Sequence, residues 1–222
     1  RCQQSILQRA EWISHTNEDR LGFFQKQYPG LDPFKLHVVP NYPVKDWAPI
    51  NKVSEINNGP IRIVHVGAIG LDSMFLEYFC NWLDDQKGKY TLDLISTNIS
   101  NSAKGYLDKV TSQNIQIIDS ASYYDLPVLL VNYDIGLVLY NGHIPNYVYN
   151  LPNKVVEYLH CGLDVWYPDS LITTTKWADD LGIRNLHFTG LTNFNAINAT
   201  GFWKSEINAE KAFEKMSLSI LS

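Results

Sequence analysis

The sequence has little cysteine, and this shortage already excludes several classes of protein. Cysteine occurs three times in 222 residues, at Cys2, Cys80 and Cys161. An odd number of scattered cysteines fits neither a disulfide framework nor the ligand spacing of a metal site. We therefore expect free thiols in a reducing compartment, which indicates a cytoplasmic protein without a structural metal.

Long apolar segments and clustered positive charge are also missing. No apolar run approaches the roughly 18 residues that a membrane-spanning helix requires. The formal net charge is −5, and lysine and arginine do not cluster. Nucleic acid is therefore not an expected partner, because phosphate backbones are bound by clustered cations. The chain begins at Arg1 and enters a predicted helix at once, so we expect a piece of a longer protein.

What the sequence does contain is an alternation of strand and helix patterns. From Ile61 onward, short apolar runs alternate with helical patterns, which predicts an α/β fold with a doubly wound parallel sheet and right-handed connections. A strand, a helix capped near Asn17 and a second strand precede this unit, and Asn208 is a candidate cap for a final helix. The predicted strands have the sequences IRIVHVG, TLDLIST, NIQIID, DIGLVLY, DVWYP and RNLHF.

The most informative segment covers residues 150–168, NLPNKVVEYLHCGLDVWYP. Proline suits the first turn of a helix and glycine suits the residue after its last turn, which places a helix between Pro152 and Gly162. At about 100° per residue, Val155, Val156 and Leu159 share one face, and Lys154, Glu157, Tyr158 and Cys161 share the other. Two interpretations of Lys154 and Glu157 remain open. They pair with each other, or Glu157 points into a cleft and accepts hydrogen bonds from the hydroxyls of a sugar.

The run LPNKVVEYLHCGLDVW resembles the K-x-x-E-Y-x-x-x-G-x-x-V segment of glycosyltransferases of the GT-B fold, family 4 type. In that family the glutamate holds the ribose of a nucleotide-sugar donor, and by position it is Glu157. Residues 1–43 resemble the closing section of the family's first domain: a strand, a helix of the N-E-x-R type and a strand ending V-P-N. The resemblance thus implies a connector at 44–60, a Rossmann-like donor-binding domain at 61–206 and a C-terminal helix at 207–222.

A donor site is expected at the carboxyl ends of the strands, where open α/β sheets bind their ligands. Backbone N–H groups of the turn after the first strand of the sheet would hold the diphosphate at the start of the next helix. Beyond Lys154 and Glu157, to which we assign the catalytic roles, the expected donor contacts are Gly67, Ala68, Ile69, Gly70, Ser120, Tyr123, Asn150, Leu151 and Pro152. The resemblance places Ser120 and Tyr123 near the nucleobase, although Tyr123 and Tyr124 also fit as packing at the sheet edge. The turn at 141–150 is long enough to indicate a functional loop.

Three departures from the family pattern concern this site. Many members carry a second acidic residue eight positions before the glutamate, where this chain has Tyr149. Cations that often follow the glycine turn are replaced by Leu71-Asp72-Ser73-Met74, so Lys154 would supply part of the missing charge. Asp164 stands where a proline is usual. His143 and His160 are expected to be ordinary surface or core histidines rather than catalytic bases.

The resemblance implies an enzyme that transfers a sugar from a nucleotide diphosphate sugar to a glycan or lipid-linked acceptor, in surface polysaccharide biosynthesis. No separate cofactor is expected, and the absent first half is the expected route to any peripheral membrane association. We expect this piece to bind donor and not to turn over by itself. Two alternatives stay open: a sugar-nucleotide epimerase of the same architecture, and a non-catalytic nucleotide-sugar-binding or scaffold protein.

Overall fold

The computed structural model describes residues 2–47, 59–119, 121–180, 186–188 and 207–214. The first part of the chain forms a small βαβ unit, in which β1 and β2 pair in parallel and a single 3₁₀ turn precedes β2. Asn17 caps α2, since its side chain accepts a hydrogen bond from the Arg20 amide at 2.9 Å, as the sequence predicts. The elements of this unit are α1 (Cys2–Arg9), β1 (Ile13–His15), α2 (Glu18–Gln27), the 3₁₀ turn (Pro33–Lys35) and β2 (Leu36–Val38).

The second part is a six-stranded parallel sheet with the order β5-β4-β3-β6-β7-β8. This order runs outward from β3 to β5, returns to β3 and continues through β6 to β8, which confirms the predicted doubly wound α/β fold. The strands are β3 (Ile61–Val66), β4 (Tyr90–Ile95), β5 (Ile115–Ile118), β6 (Ile135–Leu137), β7 (Asp164–Pro168) and β8 (Leu186–Phe188). The helices between them are α3 (Leu76–Asp85), α4 (Asn101–Leu107), α5 (Leu126–Leu130), α6 (Pro145–Val148), α7 (Asn153–His160) and α8 (Ile172–Asp180).

Strand β3 lies in the middle of the sheet and contributes to hydrophobic layers on both faces. Val64 and Val66 pack into one cluster, which includes residues of α5 and α7. Ile63 packs into the other, which includes residues of α3 and α4. Successive side chains of a strand point to opposite faces, so the nearly continuous apolar run of β3 is explained by burial on both sides.

The helical spacing of apolar residues after β3 predicts a helix from Asp72 to about Gln86, but α3 begins at Leu76. The intervening residues bond to the chain after β6 instead: Met74 bridges Tyr140, and the Phe75 amide donates to the Leu139 carbonyl at 2.8 Å. The glycine turn after β3 is therefore separated from the helix that follows it. The glycine turn therefore cannot offer a ligand the free amides of the first turn of α3, as a turn that leads directly into a helix would.

Residues 209–214 are helical and return to the chain that follows β2. Asn208 caps this helix, accepting a hydrogen bond from the Lys211 amide at 2.9 Å, as predicted. The Ala209 amide donates to the Pro43 carbonyl at 2.9 Å, and the Glu210 carboxylate accepts from the Lys45 amide at 2.8 Å. The last described part of the chain thus binds the segment that links the two sheets.

Candidate functional site

The six-stranded sheet opens between β3 and β6. All six residues of β3 pair with β4, but only Ile63 and Val64 pair with β6. The connections leave in opposite directions at this point, since β4 and β5 lie on one side of β3 and β6 to β8 on the other. In open α/β sheets a ligand crevice forms at such a reversal, at the carboxyl ends of the strands.

Two side chains satisfy backbone groups where β3 and β6 diverge. The Val66 amide donates to the phenolic oxygen of Tyr158 at 2.9 Å. The His65 ring makes a hydrogen bond through Nδ1 to the Leu137 carbonyl at 2.9 Å. Tyr158 reaches this position because Gly136 has no side chain: a Cβ there would lie 2.1 Å from the Tyr158 ring. The separation of β3 from β6 is therefore stabilised by the hydrogen bonds of Tyr158 and His65.

A cleft of about 240 Å³ lies above this opening. It is formed by the turns after β3 and β4, by one residue after β5 and by one residue of α7. Its lining residues are Val66, Gly67, Ala68, Ile95, Ser96, Thr97, Asn98, Ala121 and Lys154. Gly67, Ala68 and Lys154 were predicted from the sequence, and the structure brings them together here.

Most backbone amides of the predicted phosphate turn are already engaged. The Gly67 amide donates to the Ile95 carbonyl at 3.1 Å and the Ile69 amide to the Asn98 carbonyl at 2.9 Å. The Gly70 amide meets the sulfur of Met74 at 3.2 Å. The Ala68 amide has no such bond to the described part of the chain, and Ala68 lines the cleft. One amide, and not the row of four predicted, is thus available to an anion.

Lys154 is the cation of the cleft, and it is paired with Glu157. Its ammonium group donates to the Glu157 carboxylate three residues further along α7. The lysine side chain remains 25% exposed, whereas that of Glu157 is only 5% exposed. Of the two interpretations that the sequence leaves open, pairing between these residues is the one seen here. Glu157 is buried beside its lysine and does not belong to the lining of the cleft.

Helix α7 is buried more completely than its sequence pattern predicts. Every residue from Val155 to Cys161 is buried, so the predicted polar face at Glu157, Tyr158 and Cys161 is an interior face. Pro152 caps the helix at its N-terminal end, and Gly162 follows it with φ +72°, a conformation that favours glycine. The grouping of residues into two faces stands, but both faces are buried, because Tyr158 and Cys161 pack with Val155, Leu159 and Trp47 in one cluster.

Tyr123 follows Ala121 by two residues but does not itself belong to the lining of the cleft. Its ring is 45% exposed and packs against Trp47, with ring centroids 4.2 Å apart. Burial and then the negative charge of Glu157 raise the pKa of the Tyr123 phenol to about 12. Ser120, predicted beside it, lies outside the described residues.

The other predicted contacts lie away from the lining of the cleft. Ile69 is buried and Gly70 follows it, whereas Leu151 packs against the core and Pro152 is buried. Asn150 contacts other elements: its side-chain oxygen accepts from Arg20 of α2 at 3.4 Å, and its carbonyl accepts from Thr174 at 3.1 Å.

Helix α2 also fixes the residue before Asn150. The Asn17 side chain donates to the Tyr149 carbonyl at 3.1 Å, and the rings of Phe23 and Tyr149 stack with centroids 5.7 Å apart. Asp19 accepts a hydrogen bond from Thr173 of α8 at 2.7 Å. The first βαβ unit therefore holds the end of the loop at 141–150, where the sequence departs from the family's acidic pattern.

Residues 96–98 are functional candidates that the sequence reasoning missed. They follow β4 directly, and Ser96 accepts a hydrogen bond from the Asn98 amide at 3.0 Å. Thr97 and Asn98 are exposed at the cleft. Three short polar residues directly after a buried strand are a signal for the ligand edge of a parallel sheet, and this signal could have identified them.

His143, His160 and the two buried cysteines lack the properties of catalytic groups. Burial lowers the pKa of His160 to about 4, and His143 is exposed on its loop, outside the lining of the cleft. Cys80 and Cys161 are buried free thiols, as predicted, and burial raises their pKa values to about 12 and about 11.

Among the described residues, no group of acidic, histidine and cysteine side chains could hold a metal ion, and no helix could span a membrane.

Solved structures resemble this chain in fold. No protein-family model matches it, and no curated protein sequence matches it significantly. The chain is similar to the apo lipopolysaccharide outer core galactosyltransferase WaaB, with TM-score 0.60, 12% identity, and coverage of 95% of this chain and 62% of that one. It is also similar to WaaG, a glycosyltransferase involved in lipopolysaccharide biosynthesis, with TM-score 0.61, 12% identity, and coverage of 94% and 53%.

A third similar structure is that of HepE from Anabaena in complex with UDP and glucose. Its TM-score is 0.63 at 11% identity, with coverage of 98% of this chain and 57% of that one. The chain thus spans between about half and three fifths of the length of these solved chains. The similarities show that it has the fold of GT-B glycosyltransferases, which confirms at the level of fold the resemblance seen in the sequence.

Proposed function

We propose that this chain is the donor-binding part of a glycosyltransferase, together with the end of its first domain. The reaction would transfer a sugar from a nucleotide diphosphate sugar to a glycan acceptor. The observation that carries this proposal is the cleft where the strand order reverses. Ala68, whose amide is free, and Lys154 both line this cleft. An amide and a cation at the carboxyl edge of a parallel sheet suit a diphosphate.

In the proposed mechanism these groups stabilise the departing diphosphate. Negative charge grows on the leaving group as the bond from the sugar to the phosphate breaks, and donors already fixed in place need little reorganisation to bind it. Glu157 holds Lys154 while the cleft is empty. When the diphosphate draws the ammonium group towards it, the carboxylate becomes free to accept the ribose hydroxyls. Tyr123, supported by Trp47, would lie against the nucleobase.

The similar structures support the donor and acceptor classes. HepE is described with UDP and glucose bound, which supports a nucleotide-sugar donor. WaaB and WaaG are described as enzymes of lipopolysaccharide synthesis, which supports a surface glycan as acceptor. The epimerase alternative has less support, because the residues that line the cleft include no histidine, aspartate or glutamate.

A non-catalytic nucleotide-sugar-binding protein is the second candidate. It is favoured by Tyr149, whose ring stacks on Phe23 and which provides no acid for the donor sugar. Asp72 does not decide between the two, since it is exposed and lies outside the lining of the cleft. A turnover assay of the full-length protein with donor and glycan acceptor separates the candidates: release of free nucleotide diphosphate supports the transferase, and binding without release supports the second.

The binding claim itself is tested by thermal unfolding of this chain with UDP, GDP and ADP. We expect one of them, at a hundredfold excess over its dissociation constant, to stabilise the protein by roughly 2–3 kcal/mol. Lys154→Met should remove this effect, whereas Lys176→Met, a change at an exposed lysine of α8, should leave it intact. Equal melting temperatures with and without all three nucleotides would contradict the proposal.

A further inference from the structure

His65 is a buried titratable group that the proposed mechanism does not use. It is the second-last residue of β3, directly below the turn that carries Gly67 and Ala68, and it is 4% exposed. Its Nδ1 atom lies 2.9 Å from the Leu137 carbonyl oxygen. A carbonyl oxygen only accepts hydrogen bonds, so Nδ1 carries the proton and Nε2 is unprotonated in the neutral ring.

The second ring nitrogen has no hydrogen bond. Nε2 is buried and makes none to the described part of the chain. A buried acceptor without a donor is unusual and calls for a functional explanation. The backbone of Ala68 raises the pKa of His65, which is the effect of a carbonyl acceptor near the ring. A proton gained by Nε2 would need an acceptor, and the turn could supply one by moving the Ala68 carbonyl towards it.

The charges around the ring keep it neutral while the cleft is empty. Burial is the largest effect, and it lowers the pKa of His65. The Leu137 and Ala68 backbone groups raise this pKa, and the positive charge of Lys154 lowers it again. Lys154 is the charged group of α7 that acts on the ring, and it is paired with Glu157. Tyr158 of the same helix is a neutral phenol, since burial raises its pKa, and β6 contributes the neutral Leu137 carbonyl.

An anion in the cleft would reverse this balance. Bound between the Ala68 amide and Lys154, it would add negative charge near the ring and offset the charge of the ammonium group. Both changes favour the imidazolium form. The protonated ring could then donate from Nδ1 to Leu137 and from Nε2 to Ala68, which would tie the turn to β6 across the opening of the sheet.

We propose that His65 is a positioning residue that takes up a proton from solvent when a diphosphate occupies the cleft, and that the doubly bonded imidazolium fixes the turn around the anion. This inference rests on the proposed function, because it requires a nucleoside diphosphate as the ligand. It adds that binding of this ligand is coupled to protonation of one histidine beneath the site.

Isothermal titration calorimetry tests the coupling. Wild-type protein is titrated near pH 7 with UDP, GDP and ADP in two phosphate-free buffers that differ in ionisation enthalpy. The same titrations use His65→Asn, whose amide N–H can still donate to Leu137 but cannot titrate, and His37→Asn, which removes a histidine from β2. The terminal phosphate of the nucleotide also titrates near this pH, but its contribution is common to all three proteins.

We expect the wild type and His37→Asn to take up about 0.2–0.8 proton more per bound nucleotide than His65→Asn. Equal proton uptake in all three, with nucleotide bound by all three, would overturn the inference and leave the proposed function standing. No heat with any nucleotide would contradict the proposed function and the inference together. If His65→Asn does not fold, ¹⁵N spectra of the wild-type histidines replace it. A new proton on Nε2 of His65 with nucleotide supports the inference, and an unchanged ring overturns it.

Discussion

At the scale of single residues, the pair of Lys154 and Glu157 is central to the expected stability of α7 and to the proposed chemistry of the cleft. The spacing of the two residues allows them to pair, because side chains three apart on a helix are neighbours, but it leaves a ribose contact open as well. How deeply the two side chains are buried is not predictable from the spacing. A surface pair of this kind contributes little to stability, but here the carboxylate is only 5% exposed. A buried charge depends on its partner far more strongly.

Substitution of the lysine alone should therefore damage the fold as well as binding. We expect Lys154→Met to lower the free energy of unfolding by about 2–4 kcal/mol, because it leaves the Glu157 carboxylate buried without its cation. The double variant Lys154→Met with Glu157→Gln should recover most of this loss, since no charge remains buried. Urea denaturation measures both effects.

The double variant also separates stability from binding. It should remain unable to bind nucleotide, because Lys154 is the cation of the cleft. Lys176→Met is the matched control: its lysine side chain is 63% exposed and lies 3.9 Å from Asp19, so its loss should change stability by less than about 1 kcal/mol. A double variant as unstable as Lys154→Met, or one that binds like the wild type, would show that the pair does not have these roles.

At the scale of elements, the contact between α7 and β6 gives the sheet its opening. The sequence places both elements correctly, because their apolar runs and the flanking Pro152 and Gly162 are strong local signals. It does not show that the Tyr158 ring occupies the space beside Gly136, since that contact joins residues distant in the chain. The start of α3 was missed for the same reason, because its delay depends on the bridge from Met74 to Tyr140.

Gly136→Ala tests the importance of this contact. The new Cβ would lie 2.1 Å from the Tyr158 ring, so the ring must move and its hydroxyl must leave the Val66 amide. We expect a loss of about 2–3 kcal/mol in the free energy of unfolding. Gly105→Ala is the control in α4, where nothing lies within 4 Å, and it should stabilise the protein by about 0.5–1 kcal/mol. Equal stability of Gly136→Ala and the wild type in urea denaturation would show that the position of the Tyr158 ring does not require glycine at residue 136.

At the scale of the whole molecule, the first βαβ unit and the last described helix both contact the second sheet or its connector. Helix α2 binds Tyr149 and Asn150, and residues 209–210 bind Pro43 and Lys45.

The alternation of strands and helices was enough to predict the parallel sheet. The polar contacts between the two units were not predictable, because nothing in the local pattern of α2 indicates which carbonyls its side chains bind. The same holds for Ser96–Asn98, which join the cleft only when β4 lies beside β3.

The central claim is that the cleft beside Ala68 and Lys154 binds a diphosphate. The most direct measurement is a titration followed by ¹H–¹⁵N spectra, using the nucleotide that stabilises the protein and the matching nucleoside as control. We predict that the Ala68 amide signal, with those of Thr97 and Asn98, shifts with the nucleotide and stays in place with the nucleoside. Binding that leaves the Ala68 amide unchanged, or that shifts it equally with the nucleoside, would contradict the account.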